Sequence, residues 1–252
     1  MSPLDGSGIR TLTYDQLVLA TGARTHRSCD VESPWKAAGT HEETLALLRD
    51  TSSRIAAASH IVVAGAGPTG VEVAGELAFE FGKAAPAASK KEIVLLASGD
   101  QILSGDSVAS NARGELAKLG VTVRTDSVVD AVRAAPDGKT EVLLQDGSII
   151  MTDLYLPATG LVPNSEYVDK KYLDDKNLVK VDGYFRVPDT SGVWALGDIV
   201  SKPKAGFIIT QKQVCAGLWK LPTPSPTKGQ LFSVTRGQDL LTLGCPIDRL
   251  PP

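Results

Sequence analysis

The sequence contains no C-x-x-C pair; its three cysteines are Cys29, Cys215 and Cys245. That excludes a dithiol redox centre of this kind and disfavours a dithiol-disulfide reductase built on one. The three histidines, His26, His41 and His60, show no metal-ligand spacing, so no metal site is expected. No apolar run approaches the roughly 18 residues of a membrane span. No basic cluster accompanies the net charge of −3, which argues against nucleic acid as a partner. The opening "MSPLDGSGIR" lacks the apolar core of a signal peptide. These absences give a soluble, cytoplasmic protein as the expectation. Aromatic residues make up only 5%, while hydrophobic residues reach 42% and are led by Val, Leu and Ala. That balance suits an α/β protein with buried parallel strands. At 252 residues the chain has room for one large or two small domains.

What is present falls into alternating strands and helices. "YDQLVLATGA", 14–23, reads as a buried strand running into the small turn Ala20-Thr21-Gly22. Residues 24–40 read as irregular. A helix is expected over 40–58, with Thr40 as N-cap and Glu43 completing a capping box. "HIVVAGAGPTGVEVAGELAFEFG", 60–82, is a short buried strand, a glycine turn and a helix with Val71, Ala74, Leu77 and Ala78 at helical spacing. After a loop over 83–91 come a strand (92–98), a helix (107–120) stopped by Gly120, and a further strand, "VTVRT". Two Asp-Gly turns then separate three strands. "DLYLPATG", 153–160, repeats the strand-plus-turn ending; strands and turns follow to residue 200, and 205–220 is expected to be a helix. "LPTPSPTKGQ" breaks the pattern, and the tail after it is expected to lack regular structure.

The motif with chemistry is Gly65-Ala66-Gly67-Pro68-Thr69-Gly70, a G-x-G-x-x-G. The hexamer alone is weak evidence. Here it leaves a strand, opens a helix and is followed by a second strand, the βαβ context of a dinucleotide site. Gly65 allows the tight turn, Gly67 the approach of a pyrophosphate, and Gly70 close helix–strand packing. The free N–H groups and the positive end of the helix dipole hold the phosphates. At the end of the second strand, where an acidic residue selects NAD, stand Ala97 and Ser98, with no adjacent Arg for a 2′-phosphate. Asp100 either substitutes in part or is a turn residue. Glu72 either complements the helix dipole or faces the nicotinamide side of the site.

An internal echo organises the rest. Asp15 precedes Ala20-Thr21-Gly22 as Asp153 precedes Ala158-Thr159-Gly160. Two copies of one strand ending imply two related nucleotide-binding domains, yet no second G-x-G-x-x-G occurs. A return to the first domain is read at "GVWALGDI", where a strand ends in Gly197-Asp198. That Asp is either a binder of a sugar-like hydroxyl chain or a turn residue.

Together these motifs resemble the pyridine-nucleotide oxidoreductase superfamily of two-dinucleotide-binding-domain flavoproteins. Within it the chain is most similar to the apoptosis-inducing-factor-like branch of the ferroptosis-suppressor type, fungal members especially. "PWKAAGTHEETL", "IVVAGAGPTGVEVAGELAFEF" and "KPKAGFIITQKQ" carry the resemblance, which covers about residues 10–220. It implies a Rossmann-like α/β fold with one complete NAD(P)-binding domain (59–165) and an incomplete FAD-binding domain. The latter would comprise the end of its first segment plus a connecting helix (1–58) and a return segment (166–220), before an irregular Pro-rich tail (221–252). It implies FAD and NAD(P)H as cofactors. Hydride would pass from nicotinamide to flavin, and electrons from the flavin to a quinone or other small acceptor. By resemblance, Thr21, Gly22, Ala23, Gly197 and Asp198 line the FAD site. Gly65, Gly67, Pro68, Thr69, Gly70 and Glu72 bind NAD(P)H, with Ser98 and Gly160 beside it. The helix around Gln211 points its N-terminus at the flavin. Peripheral association with mitochondria or lipid surfaces is a further implication. Against the family pattern the sequence reads as truncated at both ends, with a shifted reading frame after about Lys220 as the working hypothesis. The competing expectation is an inactive remnant that binds NAD(P)H only.

Overall fold

A computed structural model describes residues 13–25, 31–36, 39–201 and 213, with the backbone of 232–234. In chain order the elements are β1 (Leu17–Leu19), β2 (Ala23–Thr25), α1 (His41–Ala57), β3 (His60–Ala64), α2 (Pro68–Phe81), β4 (Glu92–Leu96), α3 (Ala109–Leu119) and β5 (Thr122–Arg124). They continue with β6 (Val129–Ala134), β7 (Thr140–Leu144), β8 (Ile149–Thr152), β9 (Leu154–Pro157), β10 (Leu161–Pro163), β11 (Val193–Ala195) and β12 (Phe232–Val234). The chain divides into two compact units, one formed by residues 1–23 with 163–252 and the other by 24–162.

The 24–162 unit is built on a parallel sheet in the order β5-β4-β3-β9. Its strands read as unbroken apolar runs because both faces are covered. Alternate residues go to different cores. Ile61, Val63, Ile93 and Leu95 pack with Ala74, Leu77 and Ala78 of α2 and Leu116 of α3. Val62, Ala64, Val94 and Leu96 pack with Val142 and Leu144 of the antiparallel meander β6-β7-β8. The meander's two turns are the expected Asp-Gly pairs. Gly138 and Gly147 take φ of 82° and 83°. Asp137 and Asp146 accept from the backbone N–H two residues on, at 3.0 and 2.8 Å.

Helix ends follow their local sequence. At α1 the Thr40 hydroxyl accepts from Glu43 N, and the Glu43 carboxylate accepts from Thr40 N at 2.7 Å, completing the capping box. Gly120 ends α3 in the left-handed conformation, φ 93°. α1 lies within the 24–162 unit, and its Ile55 packs against that unit's core. Residues 24–40, read as irregular, include β2 and a 3₁₀ turn at Pro34–Lys36.

The other unit carries β11-β1-β12, all parallel, with Leu17 facing Val193 and Phe232. Its core gathers Leu19, Val179, Val187, Ala195 and Ile199. The tail expected to be irregular therefore supplies one strand, because β1 offers a second edge of backbone donors and acceptors that extended chain can satisfy. The helix expected over 205–220 lies outside the described residues except for Gln213, which is helical.

Asp153 fixes the start of the central strand. One of its carboxylate oxygens accepts from both Ser59 N and His60 N at 2.9 Å. These bonds hold its carboxyl below the ordinary carboxylate range. Asp153→Ala is expected to lower the unfolding free energy by about 1–3 kcal/mol, the worth of hydrogen bonds to a charged group. A group with a depressed folded pKa stabilises above its ordinary value of 3.8 and loses that contribution as pH falls through the folded pKa. Urea unfolding should thus show a gap between variant and wild type at pH 7 that narrows at pH 3.

Candidate functional site

The three glycines after β3 sit in different surroundings. Gly65 has φ of 104°, and a Cβ there would lie 2.6 Å from the Ala158 carbonyl oxygen and 2.9 Å from the Thr159 methyl. A Cβ on Gly70, inside α2, would overlap the Gly65 carbonyl oxygen. Both positions are small because the protein itself occupies the space. Gly67 is different: its φ is −73°, and nothing among the described residues lies within 4 Å of where a Cβ would stand. No contact among the described residues requires glycine there. A cradle left open by a missing side chain fits a phosphate group approaching the backbone.

The start of α2 is unlike that of α1. Its N-cap is Gly67, with no side chain to cap the first turn, and Pro68 stands at the first helical position. The first-turn N–H groups thus keep their donors for an anion. Thr69 and Gly70 complete that turn. Glu72 is exposed in the second turn, beyond the stretch where the dipole acts most strongly. Ser98 is exposed just past β4, whereas Ala97 is buried. Gly160, φ 63°, follows the Ala158-Thr159 pair that backs Gly65. The sequence places no Arg beside Ser98, but sheet pairing does bring one close. Arg124 aligns with Leu96, and its carbonyl accepts from Ala97 N at 2.8 Å.

In the other unit, the turn after β1 is clamped by Asn164. The Thr21 hydroxyl donates to the Asn164 carbonyl at 2.7 Å, the Asn164 side-chain amide donates to the Thr21 carbonyl at 2.9 Å, and Asn164 N donates to the Gly22 carbonyl at 2.9 Å. A hydroxyl has one proton. The Thr21 proton goes to Asn164, so in the 3.0 Å contact with Tyr167 the phenol is the donor. Burial pushes that phenol's pKa up. Ala23 begins β2. Gly197, φ 80°, and Asp198 follow β11 in a 3₁₀ turn. Gly197 N donates to the side-chain carbonyl of Gln213 at 2.8 Å. The Gln213 side chain is buried, and its amide nitrogen has no partner among the described residues. A left-over donor beside Gly197-Asp198 fits a polar ligand such as the ribityl and flavin portion of FAD. Gln211 lies outside the described residues. Among those residues no cluster could hold a metal, and no helix is long and apolar enough to cross a membrane.

Residues 4–215 match the family model described as pyridine nucleotide-disulphide oxidoreductase. The chain belongs to that family. Its fold is the Rossmann-like α/β fold, and its relatives place it on the apoptosis-inducing-factor-like side. Oxidoreductase ptaL of Pestalotiopsis fici is 38% identical over 212 residues, 83% of this chain and 54% of that protein. Apoptosis-inducing factor 1 of Saccharomyces cerevisiae is 29% identical over 209 residues, 79% of this chain and 53% of that protein. Among solved structures, an NAD-dependent persulfide reductase from A. fulgidus superimposes with a TM-score of 0.60 at 26% identity, covering 82% of this chain and 39% of that one. The chain spans about half the length of the curated relatives it matches. Proteins of this family use FAD and a nicotinamide nucleotide.

Sequence reasoning missed Asn164, Tyr167 and Gln213. The signal for Asn164 was available, since it stands four residues after Gly160 in the second copy of the echo. Tyr167 carries no motif; Gln213 closes the stretch "KPKAGFIITQKQ", but its role is not legible there, and only the folded chain brings these two residues to Thr21 and Gly197. Gly67→Ala and Gly70→Ala should separate ligand binding from folding. Gly67→Ala is expected to leave the melting temperature within a few degrees while weakening NADH binding at least tenfold by calorimetry. Gly70→Ala is expected to cost more than about 3 kcal/mol of stability or to prevent folding, because a carbonyl must move to admit its methyl.

Proposed function

We propose that this chain is the nucleotide-binding part of an FAD-dependent NAD(P)H oxidoreductase that delivers electrons to a small acceptor, a quinone in the first instance. When bound, NAD(P)H supplies a hydride and FAD accepts it and passes the electrons on. The protein's share is binding and orientation. The backbone around Gly67 and the uncapped first turn of α2 hold the pyrophosphate of the nicotinamide nucleotide. Pro68 and Thr69 shape that turn, and Glu72, Ser98 and Gly160 border it. Thr21, Gly22 and Ala23, held in shape by Asn164, border FAD, while Gly197, Asp198 and the Gln213 amide, which has no partner among the described residues, take its polar chain. The observation that carries this reading is Gly67: of the three motif glycines, it alone has no neighbour among the described residues where a Cβ would stand.

The test is the visible absorption spectrum of the purified chain after incubation with excess FAD and desalting. A retained flavin band that NADH bleaches without oxygen, and that a soluble quinone restores, is the expected result. A colourless protein that still binds NADH would reduce the reading to a nicotinamide-nucleotide binder. Asn164→Ala is expected to lower the retained flavin several-fold, because the turn at Thr21 and Gly22 loses the clamp that shapes it.

A further inference from the structure

The segment joining β4 to α3 turns through three consecutive left-handed residues. Leu103 has φ 52° and ψ 25°, Ser104 has φ 54° and ψ 32°, and Gly105 has φ 73°. Only the third is a glycine. Side-chain-bearing residues rarely adopt this conformation, and a pair in succession persists only where the surroundings impose it. Two contacts impose it here. Ile102 is buried in the core under α2 and α3, with Leu103 packed against it. The Leu103 N–H donates to the Ala66 carbonyl at 2.8 Å.

That second contact reaches the middle of the glycine turn. The Ala66 carbonyl and the Gly67 N–H belong to one peptide unit. In a planar trans peptide they point to opposite edges. Anchoring the carbonyl on Leu103 therefore fixes the Gly67 N–H away from Leu103. Among the described residues that N–H has no acceptor. Among the described residues nothing lies within 4 Å of where a Gly67 Cβ would stand.

We propose that Leu103–Gly105 is a positioning element for the dinucleotide site: its left-handed turn presents the Leu103 N–H to Ala66 and so holds the Gly67 N–H ready for a pyrophosphate oxygen. The inference rests on the nucleotide-binding reading above. Without the anchor the Ala66–Gly67 peptide is free to rotate, since Gly67 has no side chain to hinder it. Affinity for the pyrophosphate then falls because the donor must be ordered at the moment of binding.

The test removes the donor alone. Replacing leucine 103 by its α-hydroxy acid, introduced by nonsense suppression in the 252-residue chain, converts the Leu103 N–H to an ester oxygen and keeps the side chain. NADH binding by calorimetry is expected to weaken about tenfold, because the Gly67 N–H must then be ordered as the pyrophosphate binds. Binding of nicotinamide mononucleotide, which has no pyrophosphate bridge, should change less than twofold. Gly105→Ala provides a second route. It forces a Cβ into the left-handed conformation 3.1 Å from the Gln101 side-chain oxygen, and should weaken NADH several-fold with an unchanged far-UV spectrum. A lower melting temperature with unchanged NADH affinity would overturn the proposal, because the turn would then serve stability alone. Equal weakening of NADH and the mononucleotide would overturn it too. Failure of the unmodified chain to bind NADH or NADPH would overturn the nucleotide reading itself.

Discussion

Gly70 in α2 lies so close to the Gly65 carbonyl that no β-carbon fits between them, and Gly65 in turn lies against Ala158 and Thr159. This stack of backbone on backbone fixes where the helix starts relative to the strand it leaves. It also fixes where the turn after β9 must pass. Every other feature of the 24–162 unit's upper end depends on it. The first turn of α2 sits uncapped over the end of β3, Gly67 opens outward, and Leu103 reaches Ala66 from the segment behind. Close approach of main chain leaves small residues as the solution, so the constraint is written in glycine and alanine rather than in larger core side chains.

The opposite end of the same sheet is held by charge. Asp153 ties the residues entering β3 to the start of β9, two neighbouring strands whose connection runs through the whole βαβ unit and the meander. Between the two ends, β3 and β4 are buried on both faces, by helices on one side and the meander on the other. The two-residue period survives, but it divides two apolar cores rather than core and solvent. That is why these strands look uniformly hydrophobic in the sequence.

The repeated Ala-Thr-Gly ending shows how one local sequence serves two purposes. At Thr159 the methyl group backs Gly65. At Thr21 the hydroxyl is committed to Asn164, with Tyr167 donating to it. The shape of the turn is shared; the use of the side chain is set by what packs beside it.

The sequence by itself determined the local features. The capping box at Thr40 and Glu43, the stop at Gly120, the Asp-Gly turns and the strand–glycine–helix order all follow from residues within a few positions of one another, and all are present. The family is legible for the same reason, since its motifs are short and local. Tertiary structure decided what separates residues distant in sequence but adjacent in space. It placed the meander on one face of the sheet, Arg124 beside the end of β4, Asn164 on Thr21, Gln213 on Gly197, and β12 along β1. It also separated the glycines crowded by protein from the one left open. No spacing rule encodes such contacts, because each depends on long-range pairing that a linear pattern does not contain.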